Sequence, residues 1–117
     1  MKSIQIKGGR KFERDIAEKT VAWSIKDLYI SRYNFNLHIN IKHINDCCGY
    51  CKEGNSPRTY IIDIANNQTL RDFVMTIIHE LIHVRQYLTG EWEGDGETEA
   101  WELQEDLTDA IWKENII

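Results

Sequence analysis

The sequence is poor in the features that mark several common protein classes. It has one proline and no low-complexity tract, which argues against a disordered chain. No apolar run approaches the length needed to span a bilayer, so no membrane partner is expected. The opening Met1-Lys2-Ser3-Ile4-Gln5-Ile6-Lys7 lacks the long apolar stretch of a signal peptide. There is no excess of positive charge. The formal net charge is -5, so binding of nucleic acid through a broadly basic surface is not expected. Cysteines are few and clustered. Cys47, Cys48 and Cys51 are odd in number and share one short stretch, which does not make a disulfide framework. A reducing, cytoplasmic setting is the simplest expectation.

What remains fits a single globular domain, residues 1–117, with 42% hydrophobic residues to build one modest core. Ile4 and Ile6 alternate with polar residues, a short strand ending at Gly8-Gly9. From Phe12 to about Ser31 the period becomes helical, with Phe12, Ile16, Val21 or Trp23, and Leu28 on the apolar side. Phe35, Leu37, Ile39 and Ile41 then alternate with Asn36, His38, Asn40 and Lys42, the period of a half-buried strand. Cys47 to Cys51 suggests a short middle strand or hairpin, and Thr59 to Ile64 a further strand rich in β-branched and aromatic residues.

A helix is predicted from Leu70 to about Leu88. Thr69 and Asp72 resemble a capping box at its start, and Thr89-Gly90 ends it. Phe73, Val74, Ile77, Ile78, Leu81, Ile82, Val84 and Leu88 make it the most apolar helix in the chain, so it must be central to the fold. A last helix is predicted from about Glu97 to Lys113, burying Ala100, Leu103, Leu107, Ala110 and Ile111.

The central helix carries His79-Glu80-Leu81-Ile82-His83, an H-E-x-x-H pattern. Residues four apart share one helical face, so both imidazoles can reach one ion. Glu80 sits about 100° round the helix from His79. From there its carboxylate reaches a water on the metal without ligating the metal itself. Zinc lowers the pKa of such a water, and the glutamate takes the proton. Shuffling this composition gives the pattern in roughly one sequence in a hundred, so position matters more than the match. A charged glutamate between two histidines in an otherwise apolar helix needs a reason, and two ordinary hydrogen-bonded histidines do not supply one.

A catalytic zinc site needs three protein ligands and one open position. Glu97 or Glu99 could supply the third, and helical periodicity does not choose between them. His38 and His43 lie on opposite faces of one strand, so at most one could point inward. His43, Cys47, Cys48 and Cys51 could make a second, structural zinc site, but the spacing fits free thiols in a turn better. Trp92 is placed to line a substrate groove.

His79 to Tyr87, followed by Glu97-Thr98-Glu99-Ala100, resembles the SprT-like and minimal-gluzincin zincins. The resemblance extends over roughly residues 12 to 113. It implies an α+β, zincin-like fold: a small, mostly antiparallel sheet packed on an N-terminal helix and the H-E-x-x-H helix, closed by a C-terminal helix. It implies Zn2+ as cofactor and a peptide or protein as substrate, paired along the edge strand of the sheet. It favours Glu97 as third ligand, with Glu99 second, because the first glutamate of Glu-x-Glu-Ala is the ligand in that group. The sequence departs from the group at Trp101, where some gluzincins have Asp or Asn, and no histidine follows His83 as in SprT proteins proper. Tyr60, Arg85 and Tyr87 are candidates to steady an oxyanion. The expected activity is that of a zinc metallopeptidase with Glu80 as general base. The alternatives are a zincin-like metal-binding module without turnover and a structural domain of a phage or bacterial assembly.

Overall fold

A computed structural model describes residues 2–117. Seven elements follow in order: β1 (Lys2–Gly8), α1 (Lys11–Asp27), β2 (Phe35–Lys42), β3 (Gly49–Glu53), β4 (Thr59–Ala65), α2 (Leu70–Thr89) and α3 (Glu97–Lys113). The four strands form one mixed sheet in the order β1-β2-β4-β3, so the fold is α+β with three helices.

The sheet is not mostly antiparallel, as the sequence had suggested. β1 pairs parallel with β2, and β2 parallel with β4; only β3 and β4 are antiparallel. The cause lies in the connections. β1 reaches β2 through the α1 crossover, which returns the chain in the same direction. β3 then runs back along the outside, and β4 inserts between it and β2. The apolar-polar alternation of β2 records only that one sheet face is covered. It is the usual mark of an antiparallel sheet, but strand direction is not encoded in it. The Cys51-bearing β3, expected as a short middle strand or hairpin, is an edge of the sheet, and Thr59–Ala65 is an interior strand.

The covered face carries Phe35, Leu37, Ile39 and Ile41 from β2 with Tyr60, Ile62 and Ile64 from β4, all buried. These meet Ile16, Ala17 and Val21 of α1 and Phe73, Val74, Ile77, Ile78, Leu81 and Ile82 of α2 in one core. Phe12 does not join them; it stands in the first turn of α1 and is 57% exposed. Gly8 turns the chain at φ 85°, where a Cβ would run into the carbonyl oxygen of Ile41.

Helix α2 starts at Thr69, whose hydroxyl accepts the amide of Asp72 at 3.1 Å, and ends at Gly90 in the left-handed conformation. That satisfies donors and carbonyls the helix cannot satisfy itself. Helix α3 packs on α2 with Ala100, Gln104, Thr108 and Ile111 fully inward. Leu103, Leu107 and Ala110 are only partly buried, so the buried stripe is rotated from the expected one toward two polar residues. No helix among the described residues is long and apolar enough to cross a membrane.

Candidate metal centre

Helix α2 puts His79 and His83 one turn apart on the same face, with ring centroids 5.0 Å apart. Glu97, the first residue of α3, reaches across to both. Its Oε1 lies 2.8 Å from His83 Nε2 and its Oε2 lies 3.2 Å from His79 Nε2. The ligand atoms of these three residues all lie within 4.8 Å of one another, so the group could hold a metal ion.

The outer nitrogens of the two rings are held by glutamines. His79 Nδ1 is 2.9 Å from Gln104 Oε1, and His83 Nδ1 is 2.8 Å from Gln86 Oε1. The Gln86 carboxamide cannot be turned round, because its Nε2 donates to the Gly96 carbonyl and to Glu99 Oε1, both at 2.9 Å. Its oxygen therefore faces His83, and an oxygen there requires the proton on Nδ1. This leaves the Nε2 lone pair of a neutral His83 aimed at the Glu97 carboxylate, acceptor against acceptor. Such a contact calls for a positive charge between the partners, which a proton on Nε2 or a metal ion would supply. Glutamine carboxamides here do what carboxylates and carbonyls do at many metal sites: they fix tautomer and ring orientation from behind.

Gly96 makes this support possible. It stands at φ 81°, and a Cβ at that position would collide with the Gln86 side chain. Glu99 belongs to the same support. It accepts from Gln86 and lies 3.6 Å from Arg85, and it points away from the convergence of His79, His83 and Glu97. Trp101 packs edge-on against the His79 ring, centroids 5.4 Å apart. The residue that departs from the expected Asp or Asn is thus a wall for the first histidine.

Glu80 lies beside the group and is only 5% exposed. Burial pushes its carboxyl up; nearby His83 pulls it down and Glu97 raises it further, leaving it at about 7. It makes no hydrogen bond to any described residue, so its carboxylate is free to meet a water or a ligand. Together with both histidines and Glu97 it lines a cavity of about 660 Å³.

The floor of this cavity is α2, one wall is α3, and the other is β3 with the turn before it. Cys47, Cys48 and Cys51 all lie on that wall as free thiols. Burial, then the charges of Glu80 and Glu53, push the Cys51 thiol up, so it is held protonated. Among the described residues no second group of metal ligands forms, so the His43 and cysteine site considered above is not assembled. His43 instead contacts Asn45 at 2.6 Å, and His38 contacts Gln5 at 3.2 Å. Of Tyr60, Arg85 and Tyr87, only Tyr87 lines the cavity. Tyr60 stacks beneath it at 5.5 Å, and Trp92, expected in the groove, stands behind it at 6.2 Å.

Gln86 and Gln104 escaped the sequence reading. Gln86 carried a signal: it follows His83 by three residues, hydrogen-bonding distance on a helix. Gln104 carried none, since its contact depends on how α3 crosses α2. No protein-family model, no curated protein and no solved structure matches the chain.

Proposed function

We propose that the protein is a zinc-dependent peptidase of zincin-like architecture, with His79, His83 and Glu97 as ligands and Glu80 as general base. The observation that carries the reading is the convergence of two Nε2 lone pairs and a carboxylate, with a buried, unpaired glutamate adjoining them. Two imidazoles and one carboxylate suit zinc, and three protein ligands leave a position open for chemistry. A zinc ion held there supplies Lewis acidity, activating a water and polarising a carbonyl.

The protein's own residues do the rest. Positive charge in the adjoining site draws the Glu80 carboxyl down from its raised value, so that it is ionised near neutral pH and can accept a proton. Glu80 takes the proton of the attacking water and passes it to the leaving amine as the peptide bond breaks. Gln86 and Gln104 keep both histidine rings in the ligating tautomer. The edge strand that borders the cavity is β3, and its free edge offers backbone groups to an extended peptide. Tyr87 is the side chain nearest to hand for steadying a developing oxyanion.

The test is Glu80→Gln in zinc-reconstituted protein, assayed on an unfolded substrate such as casein. Glutamine is nearly isosteric, so fold and zinc content should persist. Activity should fall by about two to four orders of magnitude, because an amide cannot take the proton. Zinc-dependent activity that survives the substitution would leave the metal site standing and remove Glu80 from the mechanism.

A further inference from the structure

The cavity at the metal centre is a groove with a definite length, charge and texture. Its floor runs along α2 from Asp72 to Tyr87. Over those residues a helix advances about 22 Å at ~1.5 Å per residue. That is room for roughly six or seven residues of extended chain at ~3.3 Å each.

The charge is of one sign. The groove is lined by four carboxylates, Asp72, Glu80, Asp95 and Glu97, and by no lysine or arginine. Glu80 and Glu97 belong to the centre. Asp72 stands in the first turn of α2, and Asp95 lies beside the centre, accepting the Glu97 amide at 3.0 Å; neither forms an ion pair with a described residue.

The texture is aromatic. Eight large hydrophobic side chains among the described residues are exposed, and four of them gather here: Tyr50, Tyr87 and Trp101 line the groove, and Trp92 backs Tyr87. Trp101, 63% exposed, offers a free ring face next to His79, with Met75 one helical turn along the floor. Exposed apolar groups concentrated at one concave site mark a binding surface rather than chance.

We propose that the groove selects an extended peptide segment of about six residues that carries a large apolar side chain, seated against Trp101 and Met75 beside the metal centre, and no acidic side chain. The inference rests on the peptidase reading for its chemistry. Its physical basis is separate: apolar burial on the tryptophan face favours the bulky residue, and Asp72 toward one end and Asp95 beside the centre repel carboxylates. Neutral and basic flanking residues are accepted.

The experiment uses zinc-loaded Glu80→Gln protein and fluorescein-labelled alanine-based hexapeptides with Phe or Ala at a central position, or Glu at an end, read by fluorescence anisotropy. The Phe peptide should bind roughly tenfold to a hundredfold more tightly than the Ala peptide. The Glu peptide should bind about tenfold more weakly. Trp101→Ala, at a largely exposed position, should remove about tenfold of the Phe preference, and Asp72→Asn should narrow the Glu penalty. Asp72→Asn should not change the affinity for acetohydroxamate, a small chelator that reports the metal centre alone, and Trp101→Ala is judged by its ratio of Phe to Ala affinity at full zinc occupancy. Equal affinity for all three peptides, or a Phe preference intact in both Trp101→Ala and Met75→Ala, would overturn the proposal. Selective binding of a peptide that wild-type protein leaves uncut would support the groove's selectivity and count against the peptidase reading.

Discussion

Helix α2 has two seams, and they handle buried polar groups differently. Where α1 meets the core, the polar side chains that find partners find them mainly within their own stretch of chain. Thr20 Oγ1 donates to the Ile16 carbonyl at 2.8 Å, and Glu13 accepts the Arg10 amide at 2.6 Å. Where α3 meets α2, the bonds cross between elements: Gln104 to His79, Gln86 to Gly96 and Glu99, Glu97 to both histidines. Local satisfaction lets a helix be buried and needs nothing from its neighbours. Cross-element satisfaction makes the position of one helix depend on side chains of another. That costs tolerance to substitution, and its return is a rigid set of ligand atoms.

The largest way to break this contrast is to remove a ligand. His83→Ala should abolish tight zinc binding, and with it the stabilisation that zinc gives to the folded state. At a free zinc concentration about a thousand times the Kd, that stabilisation is roughly 4 kcal/mol. Thermal melts with and without added zinc should separate for wild-type protein and coincide for the variant. Metal-free melts that already differ by as much would show that His83 acts through packing. Zinc that fails to shift the wild-type melt would remove the metal centre altogether.

The next test cuts a cross-element bond without touching a ligand. Gln86→Leu keeps the bulk of the side chain but frees the His83 ring and strands the Gly96 carbonyl. Loss of such outer support commonly costs about tenfold to a hundredfold in metal affinity. Competition with a chromogenic chelator measures it. An unchanged affinity would mean that Glu97 alone orients His83, and the contrast between the seams would lose its functional meaning.

The two seams were also unequally legible. The histidine pair and Glu80 were readable because helical spacing alone puts them on adjoining faces, whatever α2 packs against. Glu97 was separable from Glu99 only through resemblance, since both flank the apolar stripe of α3 at similar angles. The choice depends on Gly96, whose left-handed turn admits Gln86 and so draws Glu99 into the support. Element boundaries followed local signals, Thr69 and Gly90 among them. Strand order and direction did not, because β2 alternates in the same way beside a parallel or an antiparallel neighbour. The position of β3 at the edge, and of its thiols on the groove wall, is a property of topology that no local pattern carries.

On the α1 side a smaller effect is expected, with no consequence for zinc. Burial pushes the Glu13 carboxyl up, but bonds from the Arg10 amide, Asn66 and the Arg10 side chain outweigh it, and the net shift is downward. A carboxylate with a lowered folded-state pKa adds stability at neutral pH, above its unfolded-state value. That stability is lost as pH falls through the folded-state value. Glu13→Gln keeps an acceptor for the Arg10 amide and loses the charge. It should cost about 1 kcal/mol at pH 7 in urea melts, and the difference from wild type should close in acid. A difference that persists unchanged at low pH would point to packing in place of charge. A change in zinc affinity would show that the two seams communicate.

The smallest expected effect has the opposite sign. Ser24 is fully buried on α1, and its hydroxyl, cut off from solvent, has no hydrogen-bond partner among the described residues. Thr20, one turn earlier, does find its carbonyl. An unmade bond leaves the desolvation of the hydroxyl uncompensated, a penalty of about 1–3 kcal/mol before any relaxation. Ser24→Ala removes the penalty, leaves a gap only the size of an oxygen, and places a better helix former in the middle of a helix, worth roughly 0.5 kcal/mol. The variant should therefore be as stable as wild type or more stable by up to about 1 kcal/mol, read from the urea midpoint at unchanged slope. Its zinc affinity should not move, since nothing on α1 reaches the ligands. A loss of more than about 1 kcal/mol would mean that the hydroxyl is bonded in solution. The local seam would then be as fully satisfied as the cross-linked one, and the two would differ only in where their partners lie.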